Sequence, residues 1–77
     1  MNSARSKLIK LVKSRGAIAK EIQDYNFRYY FMRRAKEDVE KYEANESLEV
    51  TPEMIEEQEK QVKQMERIKI VHNSIYL

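Results

Sequence analysis

Apolar residues recur every three or four positions along the first 44 residues, which is the spacing of one face of an α-helix. Only Gly16 interrupts the helix-forming residues between Ala4 and Ala44, and one glycine costs a helix about 1 kcal/mol. The pattern therefore predicts one continuous first helix over residues 4–44, about 60 Å long at about 1.5 Å per residue. Its predicted core stripe is Leu8, Leu11, Arg15, Ile18, Ile22, Tyr25, Tyr29, Met32, Lys36, Val39 and Glu43.

The helical spacing is lost over residues 45–51, and a signal for a second helix follows at once. Thr51 is a good N-cap, Pro52 suits the first helical position, and the charge of Glu53 favours the positive end of the helix dipole. We predict a second helix over residues 52–73. Its apolar residues are densest at the C-terminal end: Ile68, Ile70, Val71, Ile75, Tyr76 and Leu77.

These two elements predict an all-α fold, an antiparallel two-helix hairpin forming a single domain over residues 1–77. The shorter helix covers only the C-terminal part of the longer one, so that Met32 faces Val62 and the segment from Leu8 to Val12 has no partner. Two helices cannot enclose so broad a stripe, and we expect a homodimer or another protein to cover it. The alternative is that the N-terminal arm frays or folds back.

The composition excludes several classes of protein. The 77 residues include one Gly, one Pro and no Cys, so the chain has no disulfide framework, no thiolate metal site and no glycine-rich nucleotide loop. No apolar run approaches the roughly 20 residues that span a bilayer, and no apolar secretory core follows Met1. We expect a cytoplasmic protein that makes no contact with membranes.

The small net charge conceals a strong asymmetry along the chain. Residues 1–36 carry ten basic and two acidic side chains, whereas residues 37–77 carry five basic and eleven acidic ones. In a hairpin the loop end would be acidic and the open end basic. Two interpretations remain open: solvated helix faces, or steering of an acidic partner by the basic end, in particular by Lys7, Lys10 and Lys13.

The sequence offers little for catalysis. His72 is the only histidine, and near a helix end it more often complements the dipole than acts as a base. Neighbouring carboxylates such as Glu56 and Glu57 point to different helix faces and do not converge as an acid–base pair must. We expect no enzymatic activity, no catalytic residue, no metal and no cofactor.

Five of the seven aromatic residues lie between positions 25 and 34, interleaved with arginine. Tyr25 and Tyr29 fit the core stripe, whereas other members lie on a different face. Aromatic residues and arginine carry much of the binding energy of protein interfaces. We therefore predict contact with a partner protein through Phe27, Arg28, Tyr30, Phe31 and Arg34. A wide core and the stacking of nucleic-acid bases are the alternatives, the latter disfavoured by the acidic half of the chain.

The arrangement resembles the tubulin-binding cofactor A family of small helical chaperones, over roughly Leu8 to Met65. The matching segments are Gly16-Ala17-Ile18, the helix end Glu37-Asp38-Val39-Glu40-Lys41-Tyr42, the acidic loop from Asn45 to Thr51, and Ile55-Glu56-Glu57-Gln58-Glu59-Lys60-Gln61-Val62. The departures are Glu56-Glu57 in place of two lysines, Ile68-Lys69-Ile70 where the family has a proline, and the missing third helix.

The resemblance implies a non-catalytic chaperone that captures β-tubulin folding intermediates, located in the cytoplasm and associated with the cytoskeleton. It implies an interface spread along the helices and identifies no individual binding residue. Two other functions remain open: a structural coiled-coil or bundle subunit of a larger assembly, and a nucleic-acid-binding hairpin.

Overall fold

The computed structural model describes residues 3–75, which form three α-helices: α1 (Ser3–Ala19), α2 (Tyr25–Ala44) and α3 (Pro52–Ser74). No strand occurs within that range, so the predicted all-α class is confirmed. Thr51 caps α3 by accepting a hydrogen bond from the backbone N–H of Met54. Residues 1, 2, 76 and 77, including the apolar pair Tyr76 and Leu77, lie outside the described residues.

The continuous first helix over residues 4–44 is wrong, because the chain leaves the helix between Ala19 and Tyr25. The end of α1 tightens, since the N–H of Ile22 donates to the carbonyl of Ala19, three residues back. Asp24 then starts α2, and its carboxylate accepts hydrogen bonds from the N–H groups of Asn26 and Phe27. The molecule is 45 Å long, shorter than the predicted first helix alone.

The predicted two-helix hairpin is therefore replaced by an up-down-up arrangement of three helices, in which α1 packs against both others. Arg5, near the start of α1, donates hydrogen bonds to the carbonyls of Tyr42 and Glu43 at the end of α2. Phe27 and His72 touch at the other end of the bundle, so α2 also runs antiparallel to α3. No Cα of α2 comes within 8 Å of a Cα of α3.

The segment that was expected to lack a partner lies in the core. Leu8 and Val12 are fully buried, as are Ala19 and the linker residue Ile22. The N-terminal arm thus folds back, which was the alternative interpretation. Since the chain covers this stripe itself, the stripe no longer argues for a second copy, and the homodimer stays a prediction.

The break in the helix also changes which side of α2 faces inward. Tyr25 and Tyr29, assigned to the core stripe, are 66% and 57% exposed. Ala35 is buried instead, and Phe31 and Met32 pack on the core around Ala19, Ile22 and Met65. The predicted stripe treats residues 20–24 as helical. Because they form a turn, the stripe places the wrong face of the first turns of α2 toward the core.

Candidate binding site

A groove of about 580 Å³ runs between α1 and α2, and no residue of α3 lines it. Three small residues, Gly16, Ala17 and Ala35, line it together with Met32 and Val39. The helices approach closely here, because a Cβ added to Gly16 would lie 3.3 Å from the Cβ of Ala35. Small residues at this crossing thus leave a shallow apolar channel on the outside of the helix pair.

Four cationic side chains surround this channel: Lys13, Lys20, Arg33 and Lys36. We call the channel and these side chains the basic groove. Its lining contains no carboxylate, so the charged side chains that line the apolar surface are all positive. Lys13 lies 3.9 Å from Glu43, but both side chains are exposed, and such a pair contributes little stability. Arg33 lies over the ring of Tyr29, 5.8 Å from its centroid.

The basic groove has the chemistry of a recognition surface. Its lining contains no imidazole or thiol, and Tyr29 supplies its only side-chain hydroxyl. Across residues 3–75, no group of three or more acidic or histidine side chains could hold a metal ion. What the groove offers is apolar contact area with cations at its edges, which suits a ligand that combines apolar and anionic groups.

The predicted aromatic and arginine patch is divided between two environments. Tyr30, Phe31 and Arg34 form one wall of a smaller groove, of about 200 Å³, between α2 and α3. Arg34 donates a hydrogen bond of 3.0 Å to the hydroxyl of Tyr30. The opposite wall is formed by residues of α3, namely Glu57, Gln61, Gln64, Met65 and Ile68.

Phe27 and Arg28 lie nearer the end of the bundle. The ring of Phe27 is 4.3 Å from that of His72, and the side chain remains 43% exposed. Arg28 is half-buried and donates a hydrogen bond of 3.1 Å to the carbonyl of Ile22, so it stabilises the linker. The five residues therefore form no single surface: Phe31 packs on the core, and Phe27, Tyr30 and Arg34 are accessible.

The predicted basic open end is wrong. Because α1 folds back, Lys7, Lys10 and Lys13 lie toward the end of the bundle where α2 finishes. Lys7 is 4.0 Å from Glu59, in the N-terminal half of α3. All three lysines are exposed. Basic residues from the first half of the chain thus lie beside acidic residues from the second half. Of these three lysines, only Lys13 lines the basic groove.

Lys20, Arg33 and Lys36 were not identified as binding residues from the sequence. Two signals were present: Lys13, Gly16 and Ala17 share one side of α1, and Lys20 continues their spacing just beyond its end. Tyr29, Arg33 and Lys36 share one side of α2. Each set is visible at helical spacing. That the two sets face one groove depends on the turn at residues 20–24, which the sequence pattern does not show.

Comparisons with family models, with curated proteins and with solved structures found no match to this chain. None of the three helices, over the residues described, is long and apolar enough to cross a membrane.

Proposed function

We propose that the chain is a non-catalytic helical binding protein that receives an acidic, partly apolar segment of a partner protein in the basic groove. One observation carries this proposal: four cations surround an apolar channel whose lining has no carboxylate. A partner helix with acidic residues on either side of an apolar stripe complements that arrangement in both charge and polarity.

The energetics of such a surface favour binding over internal stability. Lys20, Arg33 and Lys36 are exposed and line one groove, and like charges that share a surface repel one another at a cost to the folded chain. An acidic ligand relieves this repulsion, which increases affinity and accelerates association at low ionic strength.

The first experiment measures binding of a synthetic amphipathic helix with a leucine stripe flanked by glutamate, followed by fluorescence anisotropy at increasing salt. We expect affinity to fall as salt rises. The double substitution Lys20→Glu/Arg33→Glu should weaken binding by about tenfold or more. The matched control is Lys63→Glu/Arg67→Glu on α3, which changes the net charge equally and lies outside the basic groove. Equal effects of the two double substitutions would contradict the assignment of the groove.

β-Tubulin remains the partner that the family resemblance proposes. A pull-down of tubulin by the immobilised chain at low salt tests it, with the same two double substitutions as variant and control. Retention that depends on Lys20 and Arg33 supports a tubulin-directed chaperone. Absence of retention removes tubulin as partner and leaves the binding of an acidic segment to be judged by the peptide titration.

A single-stranded oligonucleotide is the third probe, because the basic groove and the aromatic residues of α2 also suit a polyanion with flat bases. Binding of the oligonucleotide in preference to the acidic helix would favour the nucleic-acid alternative over the proposed function.

A further inference from the structure

The linker between α1 and α2 is composed of residues that are compatible with a helix. Its sequence, Lys20-Glu21-Ile22-Gln23-Asp24, contains neither glycine nor proline. No non-glycine residue of the described chain has a positive φ, so the turn needs no conformation that a helix former resists. Asp24 departs from helical geometry mainly in ψ, with φ −67° and ψ 118°. Rotation of the linker backbone into helical geometry would make residues 3–44 one helix.

Contacts from outside the linker hold it in its turn. The side-chain oxygen of Asn73 accepts a hydrogen bond of 2.8 Å from the N–H of Gln23, and its nitrogen donates one of 2.7 Å to the carbonyl of Glu21. Lys69 pairs with the Glu21 carboxylate at 3.3 Å. Thus the last turns of α3 fasten the linker, and Asn73 satisfies two of its backbone groups.

We propose that the three-helix monomer exchanges with a domain-swapped dimer of this chain. In the dimer, residues 20–24 become helical, α1 and α2 form one long helix, and α1 packs between α2 and α3 of the second copy. The occupant is a second copy because the core requires the fully buried Leu8 and Val12 of α1 itself. Every contact of α1 with α2 and α3 can then form again between chains.

Two carbonyls of the linker have partners in both forms. In the monomer, the carbonyls of Glu21 and Ile22 accept hydrogen bonds from the side chains of Asn73 and Arg28. In a continuous helix they accept from the N–H groups four residues further along. A dimer contains two linkers. If a substitution changes the equilibrium between turn and helix tenfold in each linker, the dimerisation constant therefore changes by about a hundredfold.

The swapped dimer would also change the composition of the basic groove. Lys13 and Lys20 would come from one copy, and Arg33 and Lys36 from the other. The exchange itself does not depend on the proposed function, and the experiments below use no ligand.

The first test compares Asn73→Ala with Ser74→Ala by sedimentation of the full chain over a range of concentrations. Ser74 is the matched control, because its hydroxyl donates a hydrogen bond to the carbonyl of Val71 in its own helix. We expect Asn73→Ala to increase the fraction of dimer and Ser74→Ala to leave it unchanged. Circular dichroism checks that both variants remain helical. A folded Asn73→Ala that is monomeric at every concentration overturns the proposal.

Tyr25→Pro separates a swapped dimer from any other dimer. Position 25 is the first residue of α2, where proline is tolerated, and the extended ψ of Asp24 is what a following proline requires. In a continuous helix the same proline would be internal and disruptive. The double variant Asn73→Ala/Tyr25→Pro should therefore return to monomer, whereas the control Asn73→Ala/Tyr25→Ala should stay dimeric. A dimer that persists with the proline overturns the swap.

A distance measurement gives a readout that does not depend on stability. The chain has no cysteine, so spin labels at Lys13→Cys and Lys36→Cys are unambiguous. Both positions line one groove in the monomer and would be about 34 Å apart along a continuous helix. In Asn73→Ala diluted with unlabelled chain, we expect the long intramolecular distance. A short distance in the dimer fraction would overturn the proposal.

Discussion

Arg15 of α1 donates a hydrogen bond of 2.9 Å to the side-chain oxygen of Gln58 in α3, inside the bundle. The same guanidinium nitrogen lies 3.0 Å from the carboxylate of Asp38 in α2. Arg15 is only 7% exposed, so one charged side chain connects all three helices at a buried position. Such a group stabilises a fold only while its partners are present, because an unpaired buried charge is costly.

Gln58→Leu should lower the free energy of unfolding by about 1–3 kcal/mol, since it removes a buried acceptor from Arg15. Urea unfolding followed by circular dichroism measures the change. Gln64→Leu is the control, because Gln64 is exposed on the same helix and should change stability little. The double substitution Arg15→Met/Gln58→Leu should recover part of the loss, as both polar groups are then absent. Equal stability of Gln58→Leu and the unsubstituted chain would contradict this role.

Replacing an exposed helical glycine by alanine is expected to raise the free energy of unfolding by about 0.5–1 kcal/mol. We expect a smaller increase for Gly16→Ala. The added Cβ would lie 3.3 Å from the Cβ of Ala35, which cannot rotate away. Thermal or urea unfolding of four chains tests this: the unsubstituted chain, Gly16→Ala, Ala35→Gly and the double variant. We expect Gly16→Ala to stabilise more in the Ala35→Gly background. The same gain in both backgrounds would mean that the contact does not restrict the crossing.

Phe31→Ala and Phe27→Ala should differ in their effect on stability. Phe31 packs on the core cluster, so we expect a loss of about 2 kcal/mol or more. Phe27 is 43% exposed and its main ring contacts are His72 and Phe31, so we expect about 1 kcal/mol. Chemical denaturation of the two variants measures the difference. A greater loss for Phe27→Ala would indicate that the end of the bundle contributes more than the core position.

Hydrogen bonds that Lys69 donates to Glu66 and Glu21 raise the pKa of Lys69 above its usual value of 10.5. The unfolded chain therefore loses this proton at lower pH than the folded chain does. The stabilisation is fully present below pH 10.5 and is lost as the pH rises through the folded pKa. Lys69→Gln should thus destabilise the chain at neutral pH, and its difference from the unsubstituted chain should shrink above pH 10.5.

Lys63→Gln is the control for this titration, because Lys63 is exposed on α3 and its substitution removes the same charge from the same helix. Urea unfolding at neutral pH and at several alkaline values gives the required free energies. A difference between Lys69→Gln and the unsubstituted chain that stays constant across pH 10.5 would exclude the ion pairs as its cause.

Local chemistry determined the helical class and the start of α3. Thr51, Pro52 and Glu53 act within one helical turn, and the N-cap hydrogen bond to Met54 forms without help from distant residues. Residues 4–19 and 25–44 were correctly expected to be helical, because their propensities and spacing agree.

The residues that line the basic groove were harder to predict, since a groove belongs to two helices at once. Lys13 was identified as a contact residue for a different reason, its place in a basic N-terminal segment. Lys20, Arg33 and Lys36 join it only because the close contact of Gly16 with Ala35 fixes how α1 and α2 cross. Phe31, which was predicted as a contact residue because it is aromatic, is partly buried and packs against the core.

By itself, therefore, the sequence determined that this protein is helical and where α3 begins. Only the tertiary structure decided that α1 ends at Ala19, because residues 20–24 are as compatible with a helix as with a turn. Burial of Leu8 and Val12 favours the turn, and Asn73, some 50 residues along the chain from Gln23, holds it. Contacts at such sequence separation are formed by packing, and they leave no periodic pattern in the segment that they fix.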